Sequence, residues 1–226
     1  MSKLWQNLAQ NRAIMPLMNI HIRDINQGLM RQILGVSAVM FERGFLGIFY
    51  GSLSARISQD RFMINKSEAA FANLAAESLI VLDKTHDYRW NEASKDAHIH
   101  ANLYENFSEA KFIAHAMPPY ITAFSLKNAA FEPKDYFGYE YLGERIPIFD
   151  PKDFETWYER ADTDIVRYLK QSGQEFIIVR GYGVYAYSRD IGEIAKKLDI
   201  IEQSAKILSL SQGLALNLQD NTYYGI

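Results

Sequence analysis

Near its C-terminal end the chain carries Ile191, Ile194, Leu198, Ile201, Ala205 and Leu208, a repeat at spacings of three and four residues. That period places all of these side chains on one stripe of a helix, and such a stripe needs a second apolar layer to cover it. Asp190 stands where an N-cap belongs, and Gly213 where a helix stops. The second layer is supplied by short runs further upstream. Ile48–Tyr50, Ser54–Ile57, Arg61–Ile64, Ser78–Asp83 and Lys111–Ala116 have the length and the branched or aromatic texture of strands. The last of them runs into Pro118-Pro119, which cannot continue a central ladder. Glu175–Tyr187 alternates like a strand hairpin. Between these runs fall helical patterns over Leu29–Arg43 (closed by Gly44), Ala97–Phe107 (opening at Ser94 or Asp96), Thr122–Phe131 and Phe154–Gln171. Helices interleaved with strands in this way predict an α/β fold, a sheet layered by helices.

No repeat or low-complexity linker divides the chain, and its 226 residues suit one domain over 1–226, with residues 1–30 as an amphipathic, mildly basic N-terminal extension. The absence of cysteine excludes a thiolate nucleophile, a cysteine-held metal and any disulfide, and it fits a cytoplasmic location. A net charge of −3 gives no electrostatic reason to expect nucleic acid or an anionic membrane as a partner. No run approaches transmembrane length, and the first residues lack the apolar core of a signal peptide. Fourteen tyrosines and thirteen phenylalanines point to a well-filled core and a subunit interface before they point to ligand stacking.

A set of short motifs falls in order along residues 30–210. Glu42-Arg-Gly44 is followed by Gly51-Ser-Leu-Ser-Ala-Arg56, by Ile64-Asn-Lys-Ser67, and by Leu79-Ile-Val-Leu-Asp83. Then come Ser94-Lys-Asp96 with His100, His115 with Pro119-Tyr120, Tyr141-Leu-Gly-Glu-Arg-Ile-Pro147, and Gly181-Tyr-Gly183 before the helix bearing Glu202. This order resembles the class II aldolase/adducin-head family, which includes fuculose-phosphate aldolase and ribulose-phosphate 4-epimerase. The resemblance implies a three-layer α/β/α fold, a mostly antiparallel central sheet flanked by helices, and assembly as a homotetramer. It also implies a divalent zinc held by three imidazoles, which stabilises an enediolate as a Lewis acid. A glutamate moves protons, and a loop of serines and glycines holds a phosphate. The family's general acid is often a tyrosine of an adjoining subunit, for which Tyr136, Tyr139 and Tyr223-Tyr224 are sources.

The residues at these places depart from the pattern. His115, Met117 and Tyr182 occupy the three ligand positions. A thioether is a soft, weak partner for zinc, and a phenol coordinates only as its phenolate. His115 is then either a hydrogen-bonded strand residue or part of a rebuilt site with His98, His100 or Asp96. His98 and His100 lie about 200° apart on a helix and cannot serve one ion, whereas Asp96 and His100 share a face. Asp96 stands where the family has glutamate, as a shorter proton carrier or as a helix N-cap. Gly51, Ser52, Ser67, Ser94 and Lys95 are the candidate substrate-binding residues, with Ser52 in place of an asparagine, Glu68 in place of a glycine and Lys95 in place of a serine. Glu68 beside a dianionic phosphate is repulsive unless Lys95 pairs with it. Three readings follow. One is a family member without zinc-dependent aldolase activity, kept for small-molecule binding or assembly. A second is an active lyase on another small sugar or hydroxy-carbonyl substrate, with zinc only if the site is rearranged. The third is a plain structural oligomer.

Overall fold

A computed structural model describes residues 26–220, with side chains as far as residue 213. Most of residues 1–30, and Tyr223-Tyr224, therefore lie outside the described part. Helix α1 covers residues 26–42 and stops at Gly44, whose φ of +73° suits a residue without Cβ. Strands β1 (Ser52–Ser58) and β2 (Arg61–Asn65) form a hairpin, and β3 (Leu79–Asp83) adds to it. Helix α2 (Ala97–Asn106) leads to β4 (Phe112–Ala116), α3 (Pro119–Ser125), β5 (Ala130–Phe131), α4 (Tyr136–Leu142) and β6 (Ile146–Phe149). Helix α5 (Trp157–Ser172), strands β7 (Phe176–Val179) and β8 (Gly183–Ser188), and α6 (Ile191–Asp220) complete the order.

The strands form one sheet in the order β3-β2-β1-β4-β8-β7-β6-β5. Every pair is antiparallel except β6 with β7. Period-two alternation divides its side chains between two cores. Leu53, Ala55, Phe112, Ala114 and Ala116 pack with α1 and with the stripe Ile191, Ile194, Leu198, Ile201 and Ala205 of α6. Ile64, Ile113, Ile177 and Tyr185 pack on the other face with Ile99 and Leu103 of α2 and with Trp157, Ile165 and Leu169 of α5. The fold is thus the expected α/β arrangement of three layers around a mostly antiparallel sheet.

Local expectations fare unevenly. The Glu175–Tyr187 hairpin forms, and the Asp190 carboxylate accepts the Gly192 N–H at 2.8 Å as an N-cap. Gly213 does not end α6, which continues to Asp220. The helix placed over Thr122–Phe131 instead begins at Pro119, a favoured residue for a first helical turn, and gives way to β5. Ile48–Tyr50 is no strand. Gly47 N–H bonds the Tyr50 carbonyl at 3.0 Å and folds the run into a turn, leaving Phe49 and Tyr50 65% and 57% exposed.

Gly183 matters most to the site. It opens β8 at φ +96°, where an added Cβ would lie 2.1 Å from the Ala116 carbonyl oxygen. No rotamer change relieves a clash with backbone. Gly183→Ala is expected to cost about 3 kcal/mol, combining a left-handed alanine with overpacking. An unfolding free energy lowered by less than about 1 kcal/mol in a denaturant titration would refute the close approach.

Candidate functional site

Four backbone features bring the site together at one end of the sheet. The β1–β4 register sets Ser52 opposite His115, and β4–β8 sets His115 opposite Tyr185. Lys66 bridges to Ala93, Ser67 N–H bonds the Glu92 carbonyl at 2.9 Å, and Ser94 N–H bonds that of Asn65 at 2.9 Å. These bonds clamp the turn after β2 to the start of α2, so Ser67, Ser94 and Lys95 lie side by side. The tight turn at Gly181 and Gly183 carries Tyr182 to the same place. The result is a cleft of about 390 Å³ lined by Gly51, Ser67, Ser94, Lys95, Asp96, His115, Met117 and Tyr182, together with Phe49, Tyr50, Asn65 and Tyr158.

Asp96 is at the centre. Although it precedes α2, its side chain caps nothing. It is 4% exposed and turned inward, where Oδ2 accepts the Ser52 hydroxyl at 2.7 Å and His115 Nδ1 at 2.8 Å. On its other side Oδ1 accepts the Tyr185 hydroxyl at 3.1 Å and that of Tyr158 at 3.3 Å. The cap expectation is thus corrected, because four side-chain donors outcompete one backbone amide. Burial pushes the Asp96 carboxyl up, but the His115 charge and hydrogen bond, with His100 and Ser52, hold it well below the usual carboxylate range.

The His115 ring stacks on two phenols, 4.1 Å from the Tyr185 ring and 4.7 Å from the Tyr182 ring. Its Nε2 is 2.8 Å from the Tyr182 carbonyl oxygen. Both ring nitrogens therefore face oxygens that only accept, a carboxylate and a carbonyl. Both nitrogens are thus engaged within the protein, and neither is free in this arrangement to hold a metal. Met117 and Tyr182 do converge on the same cleft as His115, but as a thioether and a protonated phenol. Burial pushes the Tyr182 hydroxyl strongly up from its ordinary value, and the Asp96 charge adds to that. This donor set does not fit a three-imidazole zinc site.

The rebuilt alternative does not form either. His100 Nε2 is 2.9 Å from Ser52 Oγ and its Nδ1 is 2.6 Å from Ser54 Oγ, while His98 faces the Lys95 and Tyr158 carbonyls at 2.9 and 3.1 Å. Among the described residues no three histidine or carboxylate side chains come together as a metal-holding group. Burial pushes His100 down to about 3, against the pull of Asp96, so the ring is neutral. Since Ser52 donates to Asp96, it accepts from His100 Nε2–H. Nδ1 then accepts from Ser54, and Ser54 from the Tyr104 hydroxyl at 2.7 Å. Every proton of this buried chain points towards Asp96.

Two further corrections concern the binding residues. Ser52 is 0% exposed and positions Asp96 from beneath, out of reach of a ligand. Glu68 is exposed and does not line the cleft, and no Glu68–Lys95 ion pair closes it among the described residues. Sequence reasoning passed over Tyr158, Tyr185, Ser54 and Tyr104. A signal existed for two of them, since Ser52 and Ser54 share a strand face and Asp96, His100 and Tyr104 share a helix face. Tyr158 comes from a separate helix and carried none. Tyr136 and Tyr139 sit on α4, 72% and 51% exposed, away from the cleft of their own chain.

Comparison with known proteins agrees with this fold. The chain is 27% identical over 193 residues to a 3-oxo-tetronate 4-phosphate decarboxylase of Haemophilus influenzae, a match covering 80% of this chain and 87% of the relative. It is 25% identical over 199 residues to a methylthioribulose-1-phosphate dehydratase of Acidiphilium cryptum, covering 79% and 89%. The crystal structure of L-fuculose-1-phosphate aldolase from Thermus thermophilus superposes with a TM-score of 0.71 over 88% of this chain and 98% of that one. At 23% identity this last likeness bears on the fold alone. Residues 31–209 match the family described as the Class II Aldolase and Adducin N-terminal domain, and the chain belongs to that family.

Proposed function

We propose that this chain is a class II aldolase-family protein that no longer carries out zinc-dependent sugar-phosphate aldol cleavage and keeps its cleft to bind a small molecule within a homo-oligomer. One observation carries the reading: both nitrogens of His115, the surviving imidazole of three, are committed to Asp96 and to the Tyr182 carbonyl. Gly51, Ser67, Ser94 and Lys95 remain as the binding rim. The exposed face of α4, with Tyr136 and Phe137 at 72% and 63%, supports assembly with further copies, the tetramer being the family's form. The unit is residues 1–226 with 1–30 as its extension, in a cytoplasmic setting to which a cysteine-free chain is suited. Among the described residues no helix is long and apolar enough to cross a membrane.

A second reading is an active lyase on another small sugar or hydroxy-carbonyl compound. The open cleft favours it, with a carboxylate, an imidazole and several hydroxyls still converging. The two similar curated proteins are named as a decarboxylase and a dehydratase, so a change of reaction within such a scaffold has precedent in them.

Metal analysis tests the first reading directly. Protein purified without chelator is expected to hold close to no zinc per chain and to take up none on soaking. Stoichiometric zinc would overturn it. The assembly is checked separately by solution mass, which is expected to exceed that of a single chain.

A further inference from the structure

Two phenols reach the cleft from different elements, Tyr158 from the first turn of α5 and Tyr182 from the turn between β7 and β8. Their hydroxyls hydrogen-bond each other, and Tyr158 also reaches Asp96 Oδ1 at 3.3 Å. Asp96 already holds Ser52, His115 and Tyr185, so Tyr158 fills the last of its four or so acceptor positions. The carboxylate is therefore closed to a ligand, as is His115. Of the two phenol protons, one rests on Asp96. The other, on Tyr182, rests only on the Tyr158 oxygen. Turning it into the cleft breaks one hydroxyl–hydroxyl bond and leaves Tyr158 donating to Asp96. A phenol, with an ordinary pKa of about 10, keeps its proton at neutral pH.

We propose that Tyr182, backed by Tyr158, forms an oxyanion site, and that the cleft takes a small planar carbonyl or enolate-type anion by its oxygen. A protonated phenol stabilises charge on a ligand oxygen by hydrogen bonding, the role a Lewis-acid metal fills elsewhere. Lys95 at the cleft rim supplies the positive charge that an anionic ligand requires, and the volume of about 390 Å³ suits a small molecule. The stacking of the Tyr182 ring on His115 fixes its direction. The proposal rests on the metal-free reading above.

Oxalate, a planar dianion resembling the enolate of a 2-oxo acid, is the probe. It is titrated calorimetrically into the full chain stripped of metal by chelator and dialysis. Binding is expected, and Tyr182→Phe, which keeps the ring and removes only the hydroxyl, is expected to weaken it about tenfold or more. Tyr158→Phe should weaken it less, and Lys84→Ala, remote from the cleft, should leave it unchanged. Circular dichroism confirms that each variant is folded. Equal affinity of wild type and Tyr182→Phe, or no binding to the wild type with or without zinc, overturns this proposal alone. Binding that appears only once zinc is restored overturns it together with the metal-free reading.

Discussion

Asp96→Asn is expected to lower the stability of the protein by about 3–5 kcal/mol, the usual consequence of removing the charge from a buried, fully hydrogen-bonded pair. The carboxylate is 4% exposed and meets the buried His115 ring at 2.8 Å. Asparagine is nearly the same shape, so the loss reports charge and acceptor capacity rather than a cavity. Its amide group also presents donors towards Ser52, His115 and the two tyrosines, which already need acceptors. The magnitude separates two roles for the residue. A helix N-cap is worth about 1 kcal/mol, and asparagine caps as well as aspartate does. A denaturant midpoint scarcely changed in Asp96→Asn would therefore contradict the inward-turned pair and restore the capping role.

Acidification is expected to destabilise the protein well above the range in which carboxylates titrate. The unfolded chain protonates His100 near pH 6.5. The folded chain, with the ring buried between Ser52 and Ser54, does so only at about 3. Between those values the unfolded state holds one proton more, so stability falls as the pH falls, by up to about 1.4 kcal/mol for each pH unit. Above 6.5 both states are neutral there and the contribution vanishes. Asp96 acts in the same direction in a lower window. Its depressed folded value stabilises the protein above about 3.9 and is lost as the pH falls further. Urea unfolding from pH 7 to 4.5 for the wild type and for His100→Gln isolates the histidine. The variant should start less stable but show a shallower slope, and parallel slopes would mean that His100 is not held neutral.

The layers of the fold were legible because periodicity reports which face of an element is apolar. The stripe from Ile191 to Ala205 and the alternation through Glu175–Tyr187 each became what their spacing required. Ile48–Tyr50 misled because an apolar run of three between two glycines is also a turn, and only the Gly47–Tyr50 hydrogen bond distinguishes the two. Gly213 misled because glycine is a permissive residue rather than an obligatory stop, and α6 runs through it. Within the site, the convergence of positions 115, 117 and 182 was readable from motif order, and the cleft contains all three. The direction of the Asp96 side chain was not, since a cap and a buried carboxylate put the same letter at the same position.

By itself the sequence determined the order and type of most elements and the absence of thiol chemistry, which are properties of residue identity and local spacing. The family resemblance added the expectation that His115, Met117 and Tyr182 stand at three ligand positions. Only the tertiary structure decided what the His115 imidazole does. Protons and lone pairs are shared among Ser52, Asp96, His115, Tyr158, Tyr182 and Tyr185, residues drawn from strands, helices and turns that meet only when the sheet is assembled. In a buried site every acceptor must find a donor, and that demand across the assembled fold engages both nitrogens of His115 and leaves Tyr182 a hydroxyl to offer.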